Sequence, residues 1–230
     1  MKTREQIAAL HDTFAGRFGF NANIAQQTSA EWFRVKLGVI SASNAARVVA
    51  KLDSETRATY MAELVSQVCT GQMEEINSKY LDWGHQHEDA ARSSYEFMKN
   101  TIVEELPFVF KDSSFRVGCS PDGMVQEADG YRGVEIKCPY NPMHFVRFAT
   151  DDKIKPEYVW QYQFCLWVMD ADAWDFVQYH PAMKKNPIKV LTVRRDEEKM
   201  KAFSDLIPRF VSDMDEMLAK LNFKWGDQWA

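Results

Sequence analysis

No stretch of this 230-residue chain reaches the ~18 uninterrupted apolar residues of a membrane span. The most apolar helix-like run, Tyr158 to Met169, is broken by Gln161 and Gln163. The opening Met1-Lys-Thr-Arg-Glu-Gln-Ile lacks the apolar segment of a secretory leader. A soluble protein of the cytoplasm, with no membrane partner, is expected. Cysteine is scarce and dispersed: Cys69, Cys119, Cys138 and Cys165 stand singly, with no CxxC pair. That excludes a zinc ribbon, a redox dithiol and a clustered iron–sulfur site, and predicts four reduced, mostly buried thiols. Repeats and low-complexity runs are missing, and no Pro/Gly/Ser-rich linker divides the chain, so residues 1–230 are read as one domain. Basic residues are outnumbered by acidic ones, 28 against 33, for a net charge of −5. A DNA-binding protein must neutralise phosphates, so that function requires segregation, with acids outside and at a metal site and bases along a groove.

What is present is material for a core. With 46% hydrophobic and 13% aromatic residues, disorder is excluded. Helical spacing covers Arg4–Phe14, Ala42–Lys51, Arg57–Cys69 and Lys79–Met98, with a polar stretch at Asn21–Ser29. Short β-rich segments follow at Thr101–Glu104, Phe108–Phe110, Phe115–Gly118, Met124–Gln126 and Gly133–Lys137. Helices return at Pro142–Thr150 and Glu157–Met169, then strands at Trp174–Tyr179 and Lys189–Arg194. Asp196–Leu221 reads as a long amphipathic helix, interrupted or kinked near Pro208. This order predicts a mixed α/β fold, a central mixed sheet flanked by helices.

Chemistry concentrates around Gly133-Val-Glu-Ile-Lys137. On a strand, Glu135 and Lys137 share one face, their Cα atoms about 6.6 Å apart. Alone, such a pair is ordinary solvated surface. Upstream, Ser120-Pro-Asp-Gly123 has the composition of a turn. Together the two segments bring the carboxylates of Asp122 and Glu135 and the ammonium of Lys137 towards one point. Hard oxygen ligands suit Mg²⁺, which keeps several waters and completes its shell with substrate phosphate. Lys137 would position the attacking water, deprotonate it if its own pKa is depressed, or stabilise developing phosphorane charge. In the Lys79–Met98 helix, Leu81, Gly84, Glu88, Ala91, Tyr95 and Met98 form a stripe expected to be buried. Glu88 inside it must be paired, protonated or bound to metal. Gln161 is polar among Tyr158, Cys165 and Val168, as either a core amide or a site residue.

Asp122, Glu135, Lys137, the helical Glu88 and Gln161 match the pattern of the PD-(D/E)XK nucleases, and the chain resembles the lambda-type viral recombination exonucleases within that superfamily. The likeness begins at Trp32. It includes Leu37-Gly-Val-Ile-Ser-Ala-Ser43, Val68-Cys-Thr-Gly71, Trp83-Gly84, Cys119-Ser-Pro-Asp-Gly123, Glu135-Ile-Lys-Cys-Pro139 and Gly226-Asp-Gln-Trp229. Residues 1–30 fall outside it, as an N-terminal helical extension. The resemblance implies a restriction-endonuclease-like core and a Mg²⁺-dependent 5′→3′ exonuclease of the bacterial host cytoplasm. Such an enzyme digests one strand of duplex DNA to mononucleotides and leaves a 3′ overhang for recombination by annealing. It further implies a toroidal homotrimer, two ions per site with Mn²⁺ as a substitute, and a single-strand annealing recombinase as partner. Asp122, Glu135 and the Ile136 carbonyl become metal ligands, Lys137 the catalytic lysine, and Glu88 and Gln161 supporting active-site residues.

Lys36, Ser43 and Ser120 fall on a pocket for the 5′-phosphate of a duplex end, and Leu81 on a strand-separating wedge. Ser43 near a helix start suits phosphate and equally suits a plain N-cap. Three positions depart from the pattern. Lys36 replaces an arginine, giving a point charge where a bidentate fork stood. Met143 replaces a second pocket arginine, whose contact is lost or moved to His144 or Arg147. Asp53, in a shortened segment, stands where a basic residue reaches duplex DNA. Two other functions keep the same motif: an endonuclease, and an inactive DNA-binding protein on this fold.

Overall fold

A computed structural model describes residues 1–22, 27, 29–74, 78–127 and 130–230. Five strands form the larger sheet in the order β2 (Val103–Glu104), β5 (Gly123–Glu127), β6 (Gly130–Lys137), β7 (Ala173–Tyr179), β8 (Ile188–Arg194). Pairing is antiparallel except for β6 with β7, which run parallel. The parallel pair needs a crossover, and α6 (Pro142–Asp151) and α7 (Pro156–Met169) supply it, each opening on the proline that its name carries. A smaller sheet sets β1 (Ile40–Ser41) parallel to β4 (Val117–Cys119), which pairs antiparallel with β3 (Val109–Phe110). The fold is the mixed α/β arrangement expected, mixed sheets flanked by helices.

The strand pleat decides what lies on each side of β6. Val134 and Ile136 face α5 (Lys79–Lys99), packing with Ala91, Tyr95, Val125 and Val177. The opposite face of the sheet, through Phe176 and Trp174, packs with α7, α4 (Glu55–Thr70) and α8 (Glu197–Lys220). Gly133 is obligatory in this packing: a Cβ there would lie 2.2 Å from the Trp174 ring on the paired strand. An aromatic cluster of Phe14, Phe108, Phe110, Phe115 and Trp229 joins α1 (Arg4–Phe18) to the smaller sheet and to the last residues. Residues 4–18, outside the span of the resemblance, thus share a core with the rest.

Several boundaries differ from expectation for local reasons. α1 continues a turn further, to a left-handed Gly19 cap. The helix expected at Ala42–Lys51 is a 3-10 turn, Ala42–Asn44, followed by α3 (Ala45–Val48), since Asn44 and Val49 both leave helical geometry. The strand expected from Phe115 starts at Val117, because Phe115 adopts a left-handed φ of 59°. α8 runs unbroken through Pro208. α2 (Ala30–Val35) and β1 were not anticipated, and part of the Asn21–Ser29 stretch lies outside the described residues. The stripe on α5 is buried only at Ala91 and Tyr95, while Leu81 and Met98 are each 46% exposed. All four cysteines are free, with Cys119 and Cys165 buried. Among the described residues, no helix is long and apolar enough to cross a membrane.

Candidate active site

Asp122 stands in the turn that leads into β5, and the register of β5 on β6 sets Gly123 opposite Val134. A Cβ on Gly123 would lie 2.1 Å from Val103 Cγ1, so glycine lets β2 close over this turn. Asp122 Oδ2 accepts the backbone N–H of Ile136 at 2.6 Å, which pins its carboxylate to β6. Glu135, one residue before, is 1% exposed. Its Oε1 accepts from Lys137 Nζ at 2.5 Å and from Gln161 Nε2 on α7 at 2.6 Å. Its Oε2 is buried with no partner among the described residues. The alternation read from the sequence therefore places Glu135 and Lys137 together, and α7 delivers the third group.

Glu88 reaches the edge of this cluster from α5, half-buried and paired with Arg92 at 2.9 Å; Arg92 also pairs with Glu105. An arginine partner was one of the fates open to a buried carboxylate, and this one comes from the same helix, one turn on.

Electrostatics mark the cluster as strained by burial. Desolvation raises the Glu135 carboxyl to about 7, with Lys137 opposing and the Asp122 charge adding to the rise. Glu88 rises to about 6, by burial first and then by repulsion from Asp122. Asp122 is also raised by burial, against the pull of Lys137 and the Ile136 N–H. Lys137 moves the other way from a depressed base: burial would lower it, but the Glu135 and Asp122 charges outweigh burial and raise it. In this arrangement it is an ammonium ion and not a free base.

Among the described residues, no three His, Cys, Asp or Glu side chains gather as a metal site. The donors available are two carboxylates, Asp122 and Glu135, beside the Ile136 carbonyl. That set fits a hard cation that keeps several waters, and the free Glu135 Oε2 is an acceptor without a donor. A buried acceptor left unpaired is costly, and a cation relieves that cost.

The expected phosphate pocket is assembled in part. Lys36 Nζ lies 3.4 Å from the centroid of Trp32, and Trp32 Nε1 donates to Ser120 Oγ at 2.9 Å. Burial pulls the Lys36 amine down to about 7. Trp32, four residues before Lys36, is the member that sequence reasoning missed as a site residue. Ser41 pairs with Gly118 across β1 and β4, and Ser43 Oγ lies 3.4 Å from Ser41 Oγ on the adjoining turn. Ser43 is not an N-cap, since the N-cap position of α3 is Asn44, which makes no side-chain cap hydrogen bond. Leu81 and Met143 are 46% and 45% exposed.

Residues 31–172 match the family of the YqaJ-like viral recombinase domain. The alkaline exonuclease LHK-Exo of Laribacter hongkongensis is 29% identical, with a TM-score of 0.71 over 84% of this chain and 98% of that one. LHK-Exo in complex with dAMP gives 28% and 0.72 over the same shares. A phage related exonuclease of Haemophilus somnus 129PT shares the fold at 13% identity, with a TM-score of 0.66 over 80% and 96% of the two chains. A protein of Escherichia coli (strain K12) named ExoD is 38% identical over 83 residues, 36% of this chain and 95% of that protein.

Proposed function

The chain belongs to the YqaJ-like viral recombinase domain family, and from that premise we propose that it is a Mg²⁺-dependent exonuclease that digests one strand of duplex DNA from its 5′ end. The observation that carries this reading is the buried Glu135, held at Oε1 by Lys137 and Gln161, without a partner at Oε2 among the described residues, and within reach of the Asp122 charge. Similarity to an alkaline exonuclease over nearly all of that enzyme's length supports exonuclease chemistry, and the dAMP bound to LHK-Exo supports a mononucleotide product.

Asp122, Glu135 and the Ile136 carbonyl would hold Mg²⁺, with Mn²⁺ as a substitute. When bound, the ion would supply Lewis acidity towards the scissile phosphate and make water easier to deprotonate. The chain's own groups do the rest. Gln161 and Lys137 hold Glu135 through Oε1, which leaves Oε2 for the metal. The Lys137 ammonium orients the water and offsets charge that develops on the phosphorane. Glu88, with its raised carboxyl, serves at the rim as a proton carrier or an outer contact to hydrated metal. The reading includes two ions per site, of which these donors account for one.

Polarity is assigned to Lys36, Ser120 and Ser43, which would hold the terminal 5′-phosphate beyond the metal. The stack of Lys36 on Trp32 and the Trp32–Ser120 hydrogen bond support a common pocket. Leu81 would part the terminal base pair, a role its exposure permits. The reading extends to a homotrimeric ring and to a single-strand annealing recombinase that takes up the 3′ overhang in phage-type recombination. A ring reconciles DNA binding with a charge of −5, since only its inner surface must be basic.

The test is covalently closed circular duplex against linear 5′-phosphorylated duplex, each with Mg²⁺. Digestion confined to the linear form is expected. Cutting of the closed circle would favour the endonuclease reading instead.

A further inference from the structure

On α5, about one to two turns before Glu88, begins an exposed aromatic surface that none of the roles above uses. Tyr80, in the first turn of α5, and Tyr140, just after β6, are 60% and 47% exposed. Their rings stand 5.4 Å apart at 88°, forming a corner. Trp83 backs it, 5.4 Å from Tyr140 at 75°. Lys79 Nζ lies 5.2 Å and 5.4 Å from the Tyr80 and Tyr140 centroids. Aromatic rings this exposed contribute little to the core, and an open corner of them beside a cation has the character of a stacking site.

The layer beneath supplies donors without acceptors. Trp83 Nε1 is buried and has no partner among the described residues. His180 is 2% exposed, and its ring lies 5.9 Å from Trp83. Its Nδ1 accepts the backbone N–H of Ala182 at 3.2 Å, so the neutral ring carries its proton on Nε2. Among the described residues, that Nε2 has no partner either. Native interiors rarely leave such groups unpaired without a ligand or water to meet them.

Position ties the corner to the acids. Tyr140 follows Lys137 by three residues, and Trp83 precedes Glu88 by about one and a half helical turns, roughly 7.5 Å of rise. Within a few residues along β6 and α5, the chain thus carries both the acids and this corner, in reach of a strand whose phosphate rests at Asp122 and Glu135. An unpaired nucleotide offers what the exposed corner lacks: a π-face for the tyrosines and a phosphate for Lys79. Building on the exonuclease reading, we propose that Tyr80 and Tyr140, over Trp83 and His180 and beside Lys79, bind an unpaired nucleotide of the strand being cut, adjacent to the scissile one. Because every base has a π-face, the site is tolerant of sequence, as stepwise digestion requires.

The experiment places 5-iodo-2′-deoxyuridine at each of the first four positions of the digested strand and irradiates the complex in chelator, where no cleavage occurs. Cross-linking to Tyr80 or Tyr140 from one of these positions is expected. In parallel, Tyr80→Ala/Tyr140→Ala should lower kcat/KM on unmodified duplex by on the order of tenfold, and Tyr80→Phe/Tyr140→Phe should restore it. Cross-links confined to other residues, or a double alanine variant at wild-type kcat/KM, would overturn the stacking site while wild-type digestion leaves the exonuclease reading intact. A wild type that releases no nucleotide from linear ends would sink that reading, and this inference with it.

Discussion

Removing the charge of Glu135 should stabilise the metal-free protein at neutral and alkaline pH. Burial pushes this carboxyl from its ordinary 4.5 to about 7. The folded chain therefore holds a proton across that window that the unfolded chain has lost, and stability falls as pH rises through it. Once pH exceeds 7, the folded state carries a penalty of roughly 3 kcal/mol from this one carboxylate. Glu88, raised to about 6, adds a smaller penalty of the same sign. Glu135→Gln mimics the protonated acid and keeps an oxygen for Lys137 and Gln161. Thermal unfolding in chelator between pH 4.5 and 8 should show wild type losing roughly 6–12 °C more than the variant, at ~2–4 °C per kcal/mol for a chain of this size. Mg²⁺ should raise wild-type Tm, and raise it more at pH 8 than at pH 5, because binding requires the ionised carboxylates. Equal pH slopes for wild type and Glu135→Gln would refute the reasoning.

Other changes separate the remaining roles. Gln161→Ala removes one of the two donors to Glu135 Oε1 without removing an acid, and should lower metal affinity or activity by roughly 10–100-fold, read by calorimetry and single-turnover assay. Lys36→Ala should slow digestion of 5′-phosphorylated ends and leave 5′-hydroxyl ends unchanged. Since burial lowers the Lys36 amine to about 7, its charge fades above that pH. The wild-type preference for phosphate in kcat/KM should therefore narrow from pH 6.5 to 8.5, with Lys36→Ala showing no such trend. Gly123→Ala places a methyl against Val103; overpacking of this kind costs about 1–3 kcal/mol, measurable by urea unfolding, and should cut activity through displacement of Asp122.

The parts legible from sequence are those governed by short-range periodicity. The alternation in Gly133–Lys137 set Glu135 and Lys137 on one face, and their 2.5 Å contact is its consequence. Helical spacing on α7 made Gln161 a polar residue on an apolar face, and its bond to Glu135 explains why it is there. What was not legible depends on partners far along the chain. β1 is two residues long and exists because it pairs with β4, 77 positions away at Ile40 and Val117. Trp32 looks like a core aromatic until its Nε1 meets Ser120. The α5 stripe reads as buried throughout, yet the sheet covers only its middle, which leaves Leu81 and Tyr80 facing outward. No local pattern shows that Trp83, Tyr140 and His180 converge, since they come from three separate segments.

The most direct test of the central claim, that Asp122 and Glu135 form the metal centre of a 5′→3′ exonuclease, uses linear duplex labelled at the 5′ or the 3′ end of one strand. Wild type with Mg²⁺ should release the 5′ label first, as a mononucleotide, and chelator should stop it. Asp122→Ala and Glu135→Ala should release none while still folding and binding duplex ends. Early release of the 3′ label, or wild-type turnover by Glu135→Ala, would contradict the account.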